Sequence, residues 1–188
     1  MKDKVFEEKK RIIIELAKRS IKSKIEKGDV EEINIDSLNL DEKVKNELKQ
    51  KHGVFVTIRK KGKLRGCIGT LAEDEIWKQV QKYAVFSSFN DPRFEPLEAS
   101  ELSEISIEVS IIKQVEDVKD ISEIKIGEDG IIIDMKGKGG VLLPDVAIEY
   151  GVSSPEEFLN LLCKKIGVHP GSWKNAKIKK FKVEKISE

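Results

Sequence analysis

Two short segments of the sequence carry residues that could bind or react with a ligand. The first spans positions 64–70 and reads Leu-Arg-Gly-Cys-Ile-Gly-Thr. On an extended strand, side chains alternate between faces, so Arg65, Cys67 and Gly69 share one face. A nearby guanidinium favours a thiolate, and the glycines Gly66 and Gly69 would let a ligand or another backbone come close. Cys67 is therefore the candidate catalytic residue, with Arg65, Gly66 and Gly69 as candidate ligand-binding residues. The competing interpretation is that Cys67 is a small buried core residue.

The second segment spans positions 90–97 and reads Asn-Asp-Pro-Arg-Phe-Glu-Pro-Leu. Its two prolines stiffen the loop and hold Arg93 between Asp91 and Glu95. A guanidinium oriented by Asp91 could offer its planar fork to a carboxylate or a phosphate. We therefore take Asp91, Arg93 and Glu95 as candidate ligand-binding residues. The alternative is an ion-paired structural corner, because surface ion pairs are common and weak.

Arginine is scarce in this chain, which makes its placement informative. The sequence has 35 Lys plus Arg, and Arg occupies only positions 11, 19, 59, 65 and 93. Lysine does not reproduce the planar fork of arginine. The presence of Arg65 and Arg93 in the two candidate segments therefore favours a role that lysine would not fill.

The sequence predicts neither a cofactor nor a metal. The segment 137–140, Gly-Lys-Gly-Gly, lacks the Gly-Lys-Ser/Thr ending of a phosphate-binding loop and is interpreted as a hairpin turn. A zinc site would need His52, Cys67, Cys163 and His169 together, without paired-ligand spacing. Papain-like catalysis would need His52 or His169 beside Cys67. A Cys67–Cys163 disulfide stays open at this point.

Composition excludes several classes of protein. The 35 Lys plus Arg and 34 Asp plus Glu give a formal charge of +1, so a general polyanion-binding surface is not expected. The lysine-rich stretch 174–185 is the one local basic excess, and we interpret it as a solvated strand; nucleic-acid binding on it is the weakest of the hypotheses. No apolar run reaches the length of a membrane span, and the first ten residues are charged, so we expect a cytoplasmic protein without a membrane partner. The 37% of charged residues, mostly Lys and Glu, is typical of thermophile proteins.

The elements that must position the two segments can be predicted from periodicity. Helical spacing indicates helices over 5–27, from 40 to a stop at Gly53, over 72–86, from Pro144, and from a capping box at 154–157 to about 166. Alternation predicts strands over 54–59, 64–70, 105–111, 124–126, 131–135 and 178–186, with a turn at 60–63, a loop over 90–97 and a Gly-rich turn over 136–140. The fold class is therefore α+β, with a mixed or antiparallel sheet flanked by helices. No linker divides the chain, so 1–188 is one domain.

These segments together resemble the AMMECR-type domain, which occurs in a human protein and in archaeal and bacterial single-domain proteins. The resemblance rests on 64–69, on Asp-Pro-Arg-Phe at 91–94 with Pro-Leu at 96–97, and on Gly-Val-Leu-Leu-Pro at 140–144 with Val-Ala at 146–147. Segments around Phe158, Cys163, Trp173 and Phe181 extend it over nearly the whole chain.

The resemblance implies two intimately joined subdomains, a larger one from both chain ends and a smaller one from the middle. It also implies association with Memo-like and radical S-adenosylmethionine proteins, and it supplies no reaction. Two functions from different classes follow. The first is a binding or catalytic pocket for a small anionic ligand around the two segments, and the second is a non-enzymatic regulatory or adaptor domain that binds a protein partner.

Overall fold

The fold is taken from a computed structural model that describes residues 2–135 and 137–188. Its α-helices are α1 (Lys2–Lys27), α2 (Glu42–Leu48), α3 (Ile76–Phe89), α4 (Pro144–Glu149) and α5 (Pro155–Lys165). Its strands are β1 (Lys51–Lys60), β2 (Lys63–Glu75), β3 (Ile105–Asp117), β4 (Gly130–Met135), β5 (Lys138–Leu142) and β6 (Lys177–Ser187). Helices and strands thus share one chain in the proportions of an α+β protein, which confirms the predicted fold class.

The described strands form a six-stranded sheet in the order β2-β1-β3-β6-β4-β5. The pairs β1–β2, β1–β3, β4–β5 and β4–β6 are all antiparallel. The chain divides into two compact units, of which the first runs to Ile111 and also includes Glu184–Glu188, and the second is Ile112–Val183. Because β2 is the outermost strand on its side, its outer backbone edge is available for contacts other than strand pairing.

The first unit contains both candidate segments and is built on a β-hairpin. Lys61 and Gly62 both have positive φ, at 51° and 78°, which is the backbone of the tight turns that join antiparallel strands. One face of the hairpin buries the alternating residues Val54, Val56 and Ile58, all 0% exposed. They join a core that includes α1, α2, α3 and the matching face of β3. The opposite face of these strands carries the polar residues of the candidate site.

The second unit has its own core, which packs α5 and α4 against β4 and β5. Phe158, Leu159, Leu162 and Cys163 of α5 are all 0% exposed, as the apolar stripe of that helix predicts. Ser154 caps the helix by accepting a hydrogen bond from the Glu157 amide, and Pro155 follows in its first turn. The predicted helix start at Pro144 is confirmed as well.

At two predicted boundaries, a nonlocal strand pairing decides the backbone and the predicted helix is wrong. The predicted helix 72–86 begins only at Ile76, since β2 continues to pair with β1 as far as Glu75 opposite Lys51. Strand β1 begins at Lys51, so Gly53 lies inside it rather than at the end of a helix.

The predicted strand 124–126 is absent, and the described chain turns there. The Asp129 carboxylate accepts a hydrogen bond from the Lys125 amide at 2.8 Å, and the Asp129 amide donates to the Lys125 carbonyl at 2.9 Å. Of the predicted turn 136–140, Lys136 lies outside the described residues and Lys138 already belongs to β5.

Two further findings concern membranes and cysteines. Over residues 2–135 and 137–188, no helix is long and apolar enough to cross a bilayer. Cys67 and Cys163 both carry thiols, so the open question of a disulfide between them is answered in favour of two reduced residues.

Candidate functional site

Cys67 lies on strand β2 with its thiol directed to the polar face of the first unit's sheet. It is opposite Thr57 of β1, whose hydroxyl donates to Cys67 Sγ at 3.3 Å. Thr57 is in turn opposite Glu108 of β3, so the thiol, the hydroxyl and the carboxylate form a row across three strands. Cys67 is intermediate in exposure, which differs from the fully buried Cys163. The alternative that Cys67 is a buried core residue therefore does not describe it.

The loop after α3 brings Asp91 and Arg93 to the outer edge of β2. Asp91 Oδ2 accepts from the Cys67 amide at 2.8 Å, and Arg93 Nη2 donates to the Cys67 carbonyl at 3.3 Å. The two side chains thus occupy the backbone positions that a neighbouring strand would fill. Arg93 is also held by Asp91 through Nε at 3.0 Å and Nη2 at 2.7 Å, while 54% of its side chain stays exposed. The guanidinium is therefore fixed beside Cys67 and still in contact with solvent.

Arg65 has a different environment, because its donors are directed into the loop. Its Nε and Nη2 bind the two carboxylate oxygens of Glu101 at 3.0 and 2.8 Å. Its Nη1 donates to the Glu95 carbonyl at 2.8 Å, and its side chain is 15% exposed. Glu101 also accepts from Lys60 Nζ at 2.9 Å. Arg65 therefore ties β2 to the loop that carries Arg93.

The two carboxylates that hold the arginines have strongly lowered pKa values. Burial raises the pKa of Asp91, but the hydrogen bonds from Arg93 and from the Cys67 amide outweigh it and bring the pKa to about 2. For Glu101 the hydrogen bond from Arg65 is the main cause, with help from the Glu98 amide and Lys60 against burial, and its pKa is also about 2. Both carboxylates are therefore ionised at any pH near neutrality.

Gly66 and Gly69 lie where another backbone segment leaves no room for a side chain. A Cβ on Gly66 would lie 1.9 Å from the Ser87 carbonyl oxygen of α3. A Cβ on Gly69 would lie 2.3 Å from the Val54 carbonyl oxygen. The sequence suggested that these glycines admit either a ligand or another backbone, and the structure shows the close approach of another backbone.

Sequence reasoning missed Ser87, which joins α3 to the hairpin. Its hydroxyl donates to the Val56 carbonyl at 2.7 Å and accepts from the Ile68 amide at 2.9 Å. Val56 and Ile68 are opposite each other in the β1–β2 pair, so the hydroxyl bridges the two strands. A serine in a helix gives no sequence signal for this role.

Further missed residues surround Glu108 on the same polar face. Arg59 Nε donates to Glu108 Oε1 at 2.7 Å, and Lys185 of β6 lies 3.0 Å from Oε2. Alternation along β3 could have placed Glu108 on this face, but its pairing with Arg59 depends on strand register.

The structure thus brings Arg65, Cys67, Asp91 and Arg93 together around β2. Glu95 contributes its backbone carbonyl to Arg65, and the residue itself is exposed. Within residues 2–135 and 137–188, no group of three or more His, Cys, Asp or Glu side chains is arranged to hold a metal ion.

Comparison with known proteins assigns the chain to a family. The family model described as AMMECR1 matches residues 14–186, which include every residue of the candidate site. The chain belongs to the AMMECR1 family. Protein TV1384 of Thermoplasma volcanium is 36% identical over 179 residues, covering 91% of this chain and 84% of that protein. A protein of Sulfolobus acidocaldarius is 43% identical over 184 residues, covering 90% and 77%.

A solved structure has the same fold. The crystal structure of the uncharacterized protein PH0010 from Pyrococcus horikoshii matches with a TM-score of 0.85 and 32% identity. The match covers 96% of this chain and 92% of that one. The resemblance to the AMMECR-type domain is therefore confirmed, and the archaeal protein PH0010 shares the fold.

Proposed function

We propose that this AMMECR1-family protein binds a small anionic ligand, through a carboxylate or phosphate group, at Arg93 beside Cys67. The observation that carries the proposal is the state of Arg93: the buried Asp91 carboxylate orients it, and 54% of its side chain is exposed. An arginine held in place before a ligand arrives loses little side-chain entropy on binding. Asp91, with its pKa of about 2, keeps this orienting role throughout the physiological pH range.

The proposal divides the predicted ligand-binding residues into two groups. Arg93 and Cys67 would contact the ligand. Arg65 and Asp91 would position them, since Arg65 already binds both oxygens of Glu101 and its side chain is only 15% exposed. Glu95 would act through the carbonyl that Arg65 holds. Cys67 would be either a thiolate that reacts or a wall of the site, and its selective alkylation over the buried Cys163 separates the two.

Thermal unfolding with a panel of anions tests the proposal. A ligand at a hundred times its Kd stabilises the native state by about 2.7 kcal/mol, which raises Tm by roughly 5–10 °C for a chain of this size. We expect inorganic phosphate, citrate or a nucleotide in the panel to raise the wild-type Tm. Arg93→Lys keeps the positive charge but removes the planar guanidinium, so most of the rise in Tm on adding the anion should be lost.

Arg11→Lys is the matched control, because Arg11 is an exposed arginine of α1 paired with Glu15 at 3.3 Å. It should keep the wild-type response. If no anion in the panel shifts the wild-type Tm, or if both variants respond as the wild type does, the anion proposal is wrong.

An adaptor function is the second candidate, and the exposure of the loop favours it. Pro92, Arg93, Glu95 and Pro96 are all exposed, and Arg65 fixes their backbone to the edge strand β2. A rigid, exposed loop loses little entropy when a partner binds it. The resemblance makes Memo-like and radical S-adenosylmethionine proteins the partners to test. We propose the cytoplasm as the compartment in either case, since two reduced cysteines fit it.

Co-purification from a native extract tests the adaptor function. A stoichiometric partner should be lost with Glu95→Lys, which reverses a charge on the loop. Glu26→Lys reverses a charge on exposed α1 and should keep the partner. A protein that purifies alone from the extract contradicts the adaptor function.

A further inference from the structure

The second unit contains a polar recess whose lining residues are all outside the candidate site. Its volume is about 170 Å³, which is enough for a small ion with a few water molecules. Strands β3 and β6 and the loop before β4 line it, and we call it the lysine recess. Its lining residues are Gln114, Glu116, Lys125, Asp129, Lys180, Phe181 and Lys182.

Gln114, one of the lining residues, has an unusual backbone. Its φ is +47°, in the left-handed region, where residues other than glycine are uncommon. The position is exposed, so core packing does not explain the conformation. Such strain costs on the order of 1 kcal/mol and tends to occur at functional positions.

Asp129 holds the loop side of the recess in a fixed turn. The residue is 2% exposed, and its carboxylate binds the Lys125 amide at 2.8 Å and Lys182 Nζ at 2.7 Å. The ring of Phe181, another lining residue, is fully buried against Gly130, where a Cβ would lie 2.2 Å from the ring. The recess is therefore lined by a buried carboxylate with fixed partners and by a buried aromatic ring.

Three lysines, Lys125, Lys180 and Lys182, line the recess together with the acidic residues Glu116 and Asp129. Lys182 is balanced by Asp129 at 2.7 Å and by Glu128 at 3.1 Å. Lys180 is held in place by its hydrogen bond to the Glu123 carbonyl at 3.0 Å, which does not neutralise its charge. The Lys125 ammonium makes no hydrogen bond or ion pair with another described residue. Lys125 and Lys180 are therefore the two lining lysines without an ion pair to a described residue, and Glu116 is the one lining carboxylate that would oppose an anion.

We propose that the lysine recess binds a tetrahedral oxyanion, either inorganic phosphate or the phosphoryl group of a larger metabolite. Lys125 and Lys180 would supply the charge, and the Gln114 amide would donate a hydrogen bond. Buried Asp129 would position the loop without touching the anion. The site is separate in sequence from Arg93 and Cys67, so it stands independently of the function proposed above.

Titration of the ¹⁵N-labelled protein by NMR tests the proposal. The additions are inorganic phosphate and, in a second series, glycerol phosphate, with ionic strength held constant by chloride because exposed charges are screened by salt. We expect saturable amide shifts at 114–116, 125–129 and 180–182. Tighter binding of the ester identifies a metabolite as the source of the phosphoryl group, and tighter binding of phosphate identifies the free ion.

The double variant Lys125→Ala/Lys180→Ala should weaken binding at least tenfold. Lys125→Ala alone removes an ammonium without a described partner, so it should fold as the wild type does and still bind more weakly. The matched control is Lys177→Ala/Lys179→Ala, which removes the same charge from exposed positions of β6.

Shifts that do not saturate, or equal weakening in the control, overturn the proposal. Shifts confined to the amides around Cys67 and Arg93 overturn it too, while supporting the anion site of the first unit. One titration therefore tests the proposal for the lysine recess separately from the proposal for the site at Arg93 and Cys67.

Discussion

Arg65 and Arg93 both lie near Cys67, but their surroundings differ. Arg65 directs its donors to Glu101 and to the loop carbonyls, whereas Arg93 keeps 54% of its side chain in solvent. Both depend on a buried carboxylate whose pKa is about 2, Glu101 for the first and Asp91 for the second. These two carboxylates therefore decide the geometry of the candidate site.

The lowered pKa values predict how stability depends on pH. Because the folded-state pKa of Asp91 falls from 3.8 to about 2 and that of Glu101 from 4.5 to about 2, the folded protein binds fewer protons than the unfolded chain. The stabilisation is complete above about pH 5.5 and is lost as the pH falls toward about 2, with each group contributing on the order of 2–3 kcal/mol. Urea unfolding between about pH 2 and about pH 5.5 measures this change in the free energy of unfolding.

Asp91→Asn and Glu101→Gln should each have a lower free energy of unfolding than the wild type at neutral pH. On acidification, that free energy should fall less in either variant than in the wild type. Glu26→Gln, on the exposed surface of α1, should follow the wild-type curve. An unchanged acid slope in Asp91→Asn and Glu101→Gln would contradict the assignment.

Arg65→Ala should destabilise the protein by about 3 kcal/mol, because it leaves the buried Glu101 carboxylate with Lys60 as its remaining side-chain cation in the described network. Arg65→Lys should recover only part of the loss, since an ammonium cannot bind both oxygens and the Glu95 carbonyl at once. Chemical denaturation compares them. Arg19→Lys, on exposed α1, should stay within about 0.5 kcal/mol of the wild type.

The candidate residues could be predicted from the sequence, but their partners could not. Two rare arginines, a cysteine and an aspartate next to a proline were visible as residue types in short segments. Glu101 lies 36 positions from Arg65, and Ser87 lies 19 positions from Ile68. Nothing local in the sequence marks residues that meet only after the chain has folded.

At the element scale, the contact between α3 and β2 places the loop that carries Arg93. The Ser87 hydroxyl enters the β1–β2 pair, and the Gly66 backbone lies directly beneath the Ser87 carbonyl. The same contact explains why local patterns predicted most elements and missed some boundaries. The periodicity of α1, α5 and β3 reflects a buried face, whereas the end of β2 at Glu75 depends on its pairing with Lys51.

Gly66→Ala should destabilise the protein by more than about 3 kcal/mol, because its Cβ would lie 1.9 Å from the Ser87 carbonyl oxygen and the helix would have to move. Gly28→Ala is the comparison: Gly28 has φ +72° and open space for 4 Å around an added Cβ, so only conformational strain of about 1 kcal/mol applies. Thermal unfolding ranks the two. If the two variants lose equal stability, α3 moves away from the added Cβ without a loss of free energy, and the prediction is wrong.

At the scale of the whole molecule, charge is nearly balanced, at 35 Lys plus Arg against 34 Asp plus Glu. Much of the lysine-rich strand β6 is engaged within the second unit. Lys182 forms an ion pair with Asp129, and Lys179 lies 3.8 Å from Asp117. These contacts oppose the use of β6 as an uninterrupted basic surface.

We therefore expect no salt-sensitive binding of nucleic acid. Anisotropy of a fluorescent DNA duplex should stay flat as protein is added, at about 50 mM and about 200 mM salt alike. A protein that neutralised several phosphates would instead lose orders of magnitude in affinity over that range. A steep salt slope would revive the polyanion hypothesis for β6.

The hydroxyl of Ser87 also gives the fold an internal reporter. The Ile68 amide donates to the Ser87 hydroxyl of α3 at 2.9 Å, so exchange of its proton requires that hydroxyl to move away. Its deuterium uptake would follow the departure of the C-terminal turn of α3 from the hairpin. The exchange rate of this one amide proton would thus report how often the contact between α3 and the hairpin, which positions Cys67 and Arg93, breaks.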